Sequence, residues 1–329
     1  MSRITRPSFI LLTLVFAGRP VAAVTFGQLD SDNMFPNVGA LALVEPVADL
    51  PNLQVPLVVA SGTLIHTRAF LTAGHITDPL QRNIALGRFT ADHFRVSFAP
   101  DAFDESSWVG VESFVTHPSF RPSHSGVNMV DIGLVILKEP VDIPVATLAH
   151  EGFLDELKAA GALRTEGDPS PFLLAGYGST LEFPPPVTIP PDGLRRFVYS
   201  DFQALLPDLL RLSQVAATGN GGSGPLDSGA PRFWVQPDGS QVLSAVVSLG
   251  DPNSVATEFA SRIDNRAALD FIHSVLAQVD GAAGGAAPLI MRKVPEPTSL
   301  ALACGGLFAF TSGARTRRRA FALVQNAFL

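Results

Sequence analysis

The sequence predicts an all-β protein, a barrel or a sandwich, that ends in one helix. Between Val24 and about Val279, short apolar segments alternate with Gly, Pro, Asp and Asn residues. Short apolar segments bounded by turn residues, without regular helices between them, are typical of sandwiches and barrels. The clearest predicted strands are VGALALV, VPLVVASGTLI, AFLTAGH, IGLVIL, FLLAGYG, LRRFVYSDF, RFWVQ and VLSAVVSLG.

Two segments depart from the strand pattern. EGFLDELKAAGAL predicts a short helix or turn that separates two β halves, at about 24–150 and 160–263. DNRAALDFIHSVLAQV begins with an N-cap candidate, Asp264, and predicts a closing helix over 264–279. Its apolar residues recur at helical spacing: Ala268, Phe271, Ile272 and Val275.

The first 23 residues predict a secretory signal peptide. Arg3 and Arg6 precede the apolar run FILLTLVFAG, and small residues lead up to Ala23, as signal peptidase requires. The run is shorter than the roughly 17–25 residues that span a bilayer, although a short membrane anchor is the alternative. We therefore expect the mature chain to begin at Val24.

The C-terminal end predicts a second address. Positions 280–293 have the composition of a flexible linker, and 294–320 contain VPEP, an apolar stretch and an arginine cluster. This order resembles the PEP-CTERM sorting signal of Gram-negative bacteria, followed here by a tail at 321–329. The resemblance implies an exosortase-like processing enzyme, transient membrane association and a secreted or cell-surface destination. A permanent single-span anchor is the alternative.

Composition excludes several partners. The formal net charge is −7 and no basic face is evident, which argues against nucleic acid. The only cysteine, Cys304, lies in the C-terminal segment, so the body of the chain contains no internal disulfide. The seven histidines lack H-E-x-x-H spacing, and GNGGSG lacks the Gly-Lys-Ser/Thr of a phosphate loop. We expect neither a metal nor another cofactor.

The loop GPLDSGAP places an acid, Asp227, beside a hydroxyl, Ser228. These are ordinary turn residues, so a surface loop is the simpler interpretation. A serine becomes a nucleophile when a histidine takes its proton and a carboxylate orients that histidine. The candidates are His75, at the end of SGTLIHTRAFLTAGH, and Asp131, which opens the apolar strand DIGLVIL. A structural histidine and a turn acid are the alternatives.

Taken together, SGTLIHTRAFLTAGH, DIGLVIL and PLDSGAP resemble the three signatures of chymotrypsin-fold (trypsin-like) serine proteases, in the order His, Asp, Ser. The resemblance covers nearly all of 24–279. It implies two antiparallel six-stranded β-barrels with a C-terminal helix and an active site between the barrels. It also implies His75 as general base and then acid, Asp131 as its orienting carboxylate, and Ser228 as the residue that forms the acyl-enzyme.

The resemblance assigns two further roles in the nucleophile loop. The backbone N–H groups of Leu226 and Ser228 would form the oxyanion hole, and Asp227 would pair with the new α-amino group of Val24. Leu226 departs from the family, which has glycine there, so a catalytically degenerate homologue is the alternative. Ala230 also replaces a glycine. The usual disulfide across the histidine loop is missing, with Ala60 and Ile76 at its positions.

The resemblance also implies a specificity pocket. Gly222 would stand at its base, where trypsins carry an acid, and Ser248, Leu249 and Gly250 would form one wall. Glu258 would lie near the other wall and favour Arg or Lys, unless it is solvated on a loop. The sequence thus predicts a secreted serine endopeptidase acting on polypeptides. A cell-surface binding or structural module on the same scaffold is the alternative.

Overall fold

The fold is described by a computed structural model of the chain. It covers 24, 26–45, 56–122, 130–166, 170–182, 187–189, 191–251, 254 and 256–283. The predicted signal peptide, most of the predicted linker, the PEP-CTERM segment and the tail therefore lie outside the described residues. Among the residues that are described, no helix is long and apolar enough to cross a bilayer.

Strands dominate the described residues. In chain order they are β1 Gln28–Leu29, β2 Val38–Leu43, β3 Leu57–His66, β4 Ala69–Thr72, β5 Phe94–Ser97, β6 Trp108–Thr116, β7 Gly133–Leu137, β8 Thr147–Leu148, β9 Pro171–Gly176, β10 Thr180–Glu182, β11 Val187–Ile189, β12 Arg196–Leu205, β13 Leu209–Ser213, β14 Pro231–Val235, β15 Gln241–Gly250 and β16 Thr257–Arg262. The α-helices are α1 Gly74–Ala85, α2 Phe153–Ala159 and α3 Arg266–Ala283, and short 3₁₀ turns occur at Ala91–His93, Glu105–Ser107 and Ala216–Thr218.

The first barrel is built from β2 to β7. Its strands follow one another as β2, β3, β4, β7, β6 and β5, all antiparallel, and the pairing of β5 with β2 closes the ring. Phe94 anchors the core through edge-to-face contacts with Phe89 and Phe114. Ala60 and Ile76 are buried in the same apolar cluster, so apolar packing occupies the place of the missing disulfide.

The second barrel is built from β9 and β12 to β16. These strands follow the order β12, β13, β16, β15, β14 and β9, and the antiparallel pairing of β9 with β12 closes the ring. Strand β1 extends it beside β12, and β8 joins β15 in parallel. The predicted architecture of two six-stranded antiparallel barrels with a C-terminal helix is therefore confirmed.

Helix α1 corrects one expectation. No regular helix is predicted between the strands, but Gly74–Ala85 are helical. Ile76, Leu80 and Ile84 recur at i, i+4 spacing and pack on the core of the first barrel, which was the available signal. Pro79 concealed it, because proline inside a segment normally argues against a helix.

The other two helices agree with the sequence more closely. Helix α2 lies between the barrels in chain order, where the sequence predicts a helix or turn. Helix α3 begins at Arg266, and its cap is Asn265, whose Oδ1 accepts the N–H of Ala268 at 2.9 Å. The N-cap candidate Asp264 instead forms an ion pair with Arg262.

A buried arginine, Arg195, ties the barrels together just before β12. Its Nε lies 2.7 Å from Oδ2 of Asp30, and both side chains are fully buried. Its Nη1 donates to the carbonyl oxygens of Val38 and Phe98 in the first barrel, each at 2.9 Å. Nη1 also donates to the hydroxyl of Tyr177, which follows β9, at 3.0 Å. The relative placement of the two halves is thus held by a polar network inside the molecule.

Candidate active site

The site residues come from the start of helix α1 and from two loops, at the junction of the two barrels. His75 is the second residue of α1, immediately after β4, and Asp131 lies two residues before β7. Because β4 pairs with β7, with Thr72 opposite Gly133, these two residues meet at the same edge of the first barrel. Ser228 reaches them from the loop before β14 in the second barrel.

The three side chains form one chain of hydrogen bonds. Nδ1 of His75 lies 2.7 Å from Oδ2 of Asp131, and Nε2 of His75 lies 2.8 Å from Oγ of Ser228. The backbone N–H of His75 also donates to Oδ1 of Asp131 at 2.7 Å, so both carboxylate oxygens are engaged by one residue. The structure therefore brings together the residues that the sequence singles out.

The surroundings of Asp131 favour its ionised form. The side chain is buried, and burial alone raises the pKa of a carboxyl group. The charge of His75 opposes this effect, as do hydrogen bonds from the His75 ring, the Ser248 hydroxyl and the backbone N–H of His75. Together they outweigh burial and keep the pKa of Asp131 below its ordinary value. The Ser248 bond is 2.6 Å long.

The pKa of His75 shifts in the opposite direction, upward. Burial lowers the pKa of its imidazole, but the charge of Asp131 and the hydrogen bond to it outweigh that effect, so the pKa of His75 is raised above 6.5. A base of this strength can take a proton from a hydroxyl at neutral to alkaline pH.

Ser61 supports the nucleophile loop from the first barrel. Its N–H donates to the carbonyl of Ser228 at 3.1 Å. Its buried hydroxyl accepts the N–H of Tyr177 at 3.0 Å and donates to the carbonyl of Leu226 at 3.4 Å. The loop passes so close to the first barrel that a Cβ on Gly229 would lie 2.0 Å from Oγ1 of Thr72.

Leu226 adopts a backbone conformation that side chains disfavour. Its φ is +72°, in the left-handed region, which costs roughly 1–2 kcal/mol for a residue with a Cβ. The neighbouring N–H groups of Asp227 and Gly229 are bonded to the carbonyls of Gly224 and Val247. No described residue accepts from the N–H of Leu226 or of Ser228, the two groups expected to form the oxyanion hole.

The side chain of Asp227 is buried inside the protein. Its two oxygens accept the N–H of Gly178 at 2.8 Å and of Gly224 at 2.9 Å. Gly176 and Gly178 make room for it, since a Cβ at either would lie within 2.5 Å of the carboxyl group. Burial raises the pKa of Asp227 to about 7, against the lowering effect of those N–H groups.

Val24 is the residue expected to pair with Asp227. Its side chain is fully buried in an apolar cluster with Leu174, Ala230 and Val247. Ala230 donates its N–H to the carbonyl of Asp227, so this cluster adjoins the nucleophile loop. Val24 is thus buried in an apolar cluster that includes Ala230 of this loop.

Glu258 corrects a further expectation. It is neither solvated on a loop nor available to a substrate, because it lies on β16, fully buried, with its Oε1 2.6 Å from Nε of Arg232. Its Oε2 accepts the N–H of Ser223 at 2.8 Å. The charge of the Glu258 carboxylate is therefore compensated inside the protein by Arg232.

The other residues expected in the pocket lie near the buried side chain of Gln214. A Cβ on Gly222 would lie 2.4 Å from Cγ of Gln214, and a Cβ on Gly250 would lie 3.3 Å from its Nε2. Leu249 lies between Ser248 and Gly250 on β15. The Ser248 hydroxyl serves Asp131, a function that the sequence does not reveal. Among the described residues, no group of three or more His, Cys, Asp or Glu side chains is arranged to hold a metal ion.

Several supporting residues escape sequence reasoning. These are polar residues within apolar strands or at their ends: Ser61, Gln214 and Ser261. Oγ of Ser261 accepts the N–H of Asp131 at 3.2 Å. The available signal was their position, since a polar side chain that faces the core of a predicted strand requires a partner. Which partner it takes is visible only in the folded chain.

No protein-family model and no curated protein matches the chain. Among solved structures, it is similar to a double mutant of human heparin-binding protein (CAP37), with 17% identity and a TM-score of 0.52. The match covers 76% of this chain and 96% of that one. Together with the two closed barrels, this likeness identifies the fold as chymotrypsin-like.

Proposed function

We propose that this protein is a serine endopeptidase that cleaves polypeptides through an acyl-enzyme. The observation that carries the proposal is the hydrogen-bonded series Asp131, His75, Ser228, with distances of 2.7 and 2.8 Å, at the junction of two barrels. Such catalysis requires a nucleophile, a base and an orienting acid that lie within hydrogen-bonding distance of one another.

In the proposed reaction, Nε2 of His75 takes the proton of the Ser228 hydroxyl while Oγ attacks the carbonyl carbon of the scissile bond. The C–N bond then breaks, and His75 returns the proton to the departing amine. Water repeats the sequence on the acyl-enzyme and releases the second product. Asp131 stays ionised throughout and stabilises the charged imidazole, consistent with its lowered pKa.

The N–H groups of Leu226 and Ser228 would stabilise the oxyanion. Because no described residue accepts from them, they are available for this purpose without breaking an existing bond. Leu226 retains its N–H, and its positive φ is one that the missing glycine would adopt without strain. Hydrogen-bond donors that are in place before the reaction are usually the largest contribution to such catalysis.

Export completes the proposal. Signal peptidase would remove 1–23 and leave Val24 as the first residue, and its amino group would pair with the buried Asp227. An exosortase-like enzyme would act at VPEP after a transient membrane stage, unless the segment remains as an anchor. Secretion itself would then activate the enzyme, at the surface or outside a Gram-negative cell.

A degenerate homologue that acts as a binding or structural module is the second candidate. The strained Leu226 favours it, because a small rotation of this peptide would withdraw its N–H from the oxyanion. The human neighbour is named for binding heparin. A polyanion is a poor choice of ligand for this chain, whose formal charge is −7.

A fluorophosphonate probe tests the proposal, because it labels only an activated serine. We expect the exported chain, from which the leader has been removed during secretion, to be labelled, and the Ser228→Ala variant produced in the same way to lose labelling completely. The matched control is Ser240→Ala, which changes an exposed turn serine bonded to Asp238 and should be labelled normally. Folded wild-type protein that fails to react would support the degenerate homologue.

A further inference from the structure

A hydrogen-bonded cluster of Thr77, Gln81 and Thr116 joins helix α1 to strand β6. Oε1 of Gln81 accepts the backbone N–H of Thr116 at 3.0 Å and the hydroxyl of Thr116 at 2.5 Å. Oγ1 of Thr77 lies 2.7 Å from Oγ1 of Thr116. Because the hydroxyl hydrogen of Thr116 is already used by Gln81, the hydroxyl of Thr77 is the donor in this contact. The cluster therefore links one face of α1 to the neighbouring strand at two points, one helical turn apart.

The first turn of α1 lies directly on the chain that enters β7. A Cβ on Gly133 would lie 2.2 Å from Oγ1 of Thr77, and a Cβ on Gly74 would lie 3.0 Å from the carbonyl oxygen of Ile132. Glycine at both positions permits this approach. Thr116 pairs with Gly133 in the antiparallel ladder of β6 and β7, so the strand beside β7 supplies the hydroxyl that holds Thr77. The cluster therefore fixes the position of α1 over the start of β7.

That position decides how the candidate base meets its acid. His75 lies two residues before Thr77 in the same turn, and Asp131 lies two residues before Gly133. The backbone N–H and Nδ1 of His75 each contact one oxygen of Asp131, both at 2.7 Å. The N-cap residue of α1, Ala73, has no side chain that could cap the helix, so Asp131 supplies a cap from another segment. A shift of this turn would lengthen both contacts together.

No disulfide can hold α1 in place within the body of the chain, because Cys304 is the only cysteine. Ile76 and Leu80 pack on the core of the first barrel. Apolar packing is non-directional, whereas a hydrogen bond weakens steeply when its distance or angle changes. The cluster therefore adds directional contacts to a helix that is otherwise held by apolar packing and by Asp131.

We propose that this cluster positions His75 for proton transfer by holding the first turn of α1 against Asp131. Its three members are positioning residues, since they touch none of the reacting atoms and act only through the helix. This inference rests on the proposed function, because the positioning serves the proton transfer of that reaction.

Thr116→Val tests the proposal, because it removes the central hydroxyl and keeps the shape of the side chain. The hydroxyl of Thr77 can then donate to the carbonyl of Gly74, which lies 3.3 Å away, so no buried donor is left unpaired. We expect the maximal rate of fluorophosphonate labelling of the exported chain to fall roughly tenfold, while the probe concentration that gives half of this rate stays unchanged. Thr116→Ser retains the hydroxyl and should restore the wild-type rate.

Thr257→Val is the matched control. Thr257 is also half-buried on a strand, and its hydroxyl donates to Oε1 of Gln203 at 3.0 Å. The two valine variants lose the same kind of hydrogen bond and should lower the melting temperature by similar amounts. Only Thr116→Val should change the labelling rate.

Gln81→Met breaks the cluster from the other side and should also slow labelling. It serves as the second variant if Thr116→Val does not fold. Combining the two changes should slow labelling no further than the stronger single change, because both act through one series of hydrogen bonds.

The titration of His75 reports its position without any catalysis. Burial lowers the pKa of His75, and the charge of Asp131 and its hydrogen bond outweigh burial and raise the pKa above 6.5. The other charged groups near this turn, Asp78, Arg82 and Arg121, are the same in every variant. A ring that moves away from Asp131 while it stays buried should therefore titrate at lower pH.

The titration is followed by NMR of the His75 ring in a Ser228→Ala background. We expect the midpoint to move to lower pH when Thr116→Val or Gln81→Met is added, and to stay in place with Thr116→Ser or Thr257→Val. If the midpoint moves in this way but the wild-type chain is never labelled, the proposed function is refuted and the positioning role stands. If neither cluster variant changes the labelling rate or the titration, the positioning role is overturned, whatever the effect on melting. A change in only one of these two measurements, in a chain that the probe labels, would overturn it as well.

Discussion

Nε2 of His75 lies 2.8 Å from Oγ of Ser228, although 153 residues separate the two along the chain. One belongs to the first barrel and the other to the second, so their contact depends on how the barrels meet. Asp131 continues the series on the far side of the imidazole.

The rate of fluorophosphonate labelling should depend on the charge of His75. The pKa of His75 is raised above 6.5 by Asp131, so the neutral base is lost as pH falls through a value above 6.5. Asp131→Asn removes the raising charge while burial remains, so the midpoint should move to lower pH and the plateau rate should fall by roughly 10² to 10⁴. Identical midpoints in the two proteins would contradict the assigned roles.

Leu226→Gly should preserve or increase labelling. Glycine keeps the N–H and adopts φ of +72° without strain, so the donor should be at least as well placed as in wild type. Leu226→Ala retains the Cβ and serves as the control, with a rate close to that of wild type. If the probe labels the Leu226→Gly variant but not the wild-type chain, Leu226 is the cause of the inactivity.

The identity of the first residue should change the pH dependence of stability. With any residue before Val24, Asp227 has a folded pKa of about 7 against an ordinary value of 3.8. The protonated carboxyl of Asp227 then adds at most about 4 kcal/mol to the free energy of unfolding. This contribution is fully present below pH 3.8 and is lost as pH rises to about 7. A free amino group on Val24 should pair with the carboxylate and abolish this loss.

The measurement compares melting temperatures of a chain that begins at Val24 and one with an added serine before it. The melting temperature of the Val24 form relative to the serine form should rise by several degrees between pH 4 and pH 7. Other titrating groups cancel in the difference. Equal melting temperatures at both pH values would exclude the pairing, as would a mature protein whose first residue is not Val24.

Arg195→Met should destabilise the protein by about 3–5 kcal/mol, because it leaves the buried carboxylate of Asp30 without its partner. Urea unfolding measures this. Arg211→Met, at an exposed position of β13, is the matched control and should change the free energy of unfolding by less than about 0.5 kcal/mol. Adding Asp30→Asn to Arg195→Met should restore part of the loss. No recovery would mean that the ion pair is not the reason.

The sequence by itself determined the strand class, the closing helix and the three residues of the candidate triad. Alternating apolar segments, turn residues and short motifs are local properties, so they can be recognised without the fold. Even the unpredicted α1 left a local signal in Ile76, Leu80 and Ile84, which Pro79 obscured.

Only the tertiary structure decided what fills and supports the site. Glu258 pairs with Arg232, which lies 26 residues away along the chain, and Ser61 contacts Leu226, which lies 165 residues away. The side chain of Gln214 lies close to two glycines of separate segments. Such pairings follow from how strands are registered and barrels are docked, and the energy of a buried polar group depends on the partner that this geometry supplies. A single sequence shows which polar side chains need a partner when they are buried. Which partner each one takes depends on the packing of the folded chain.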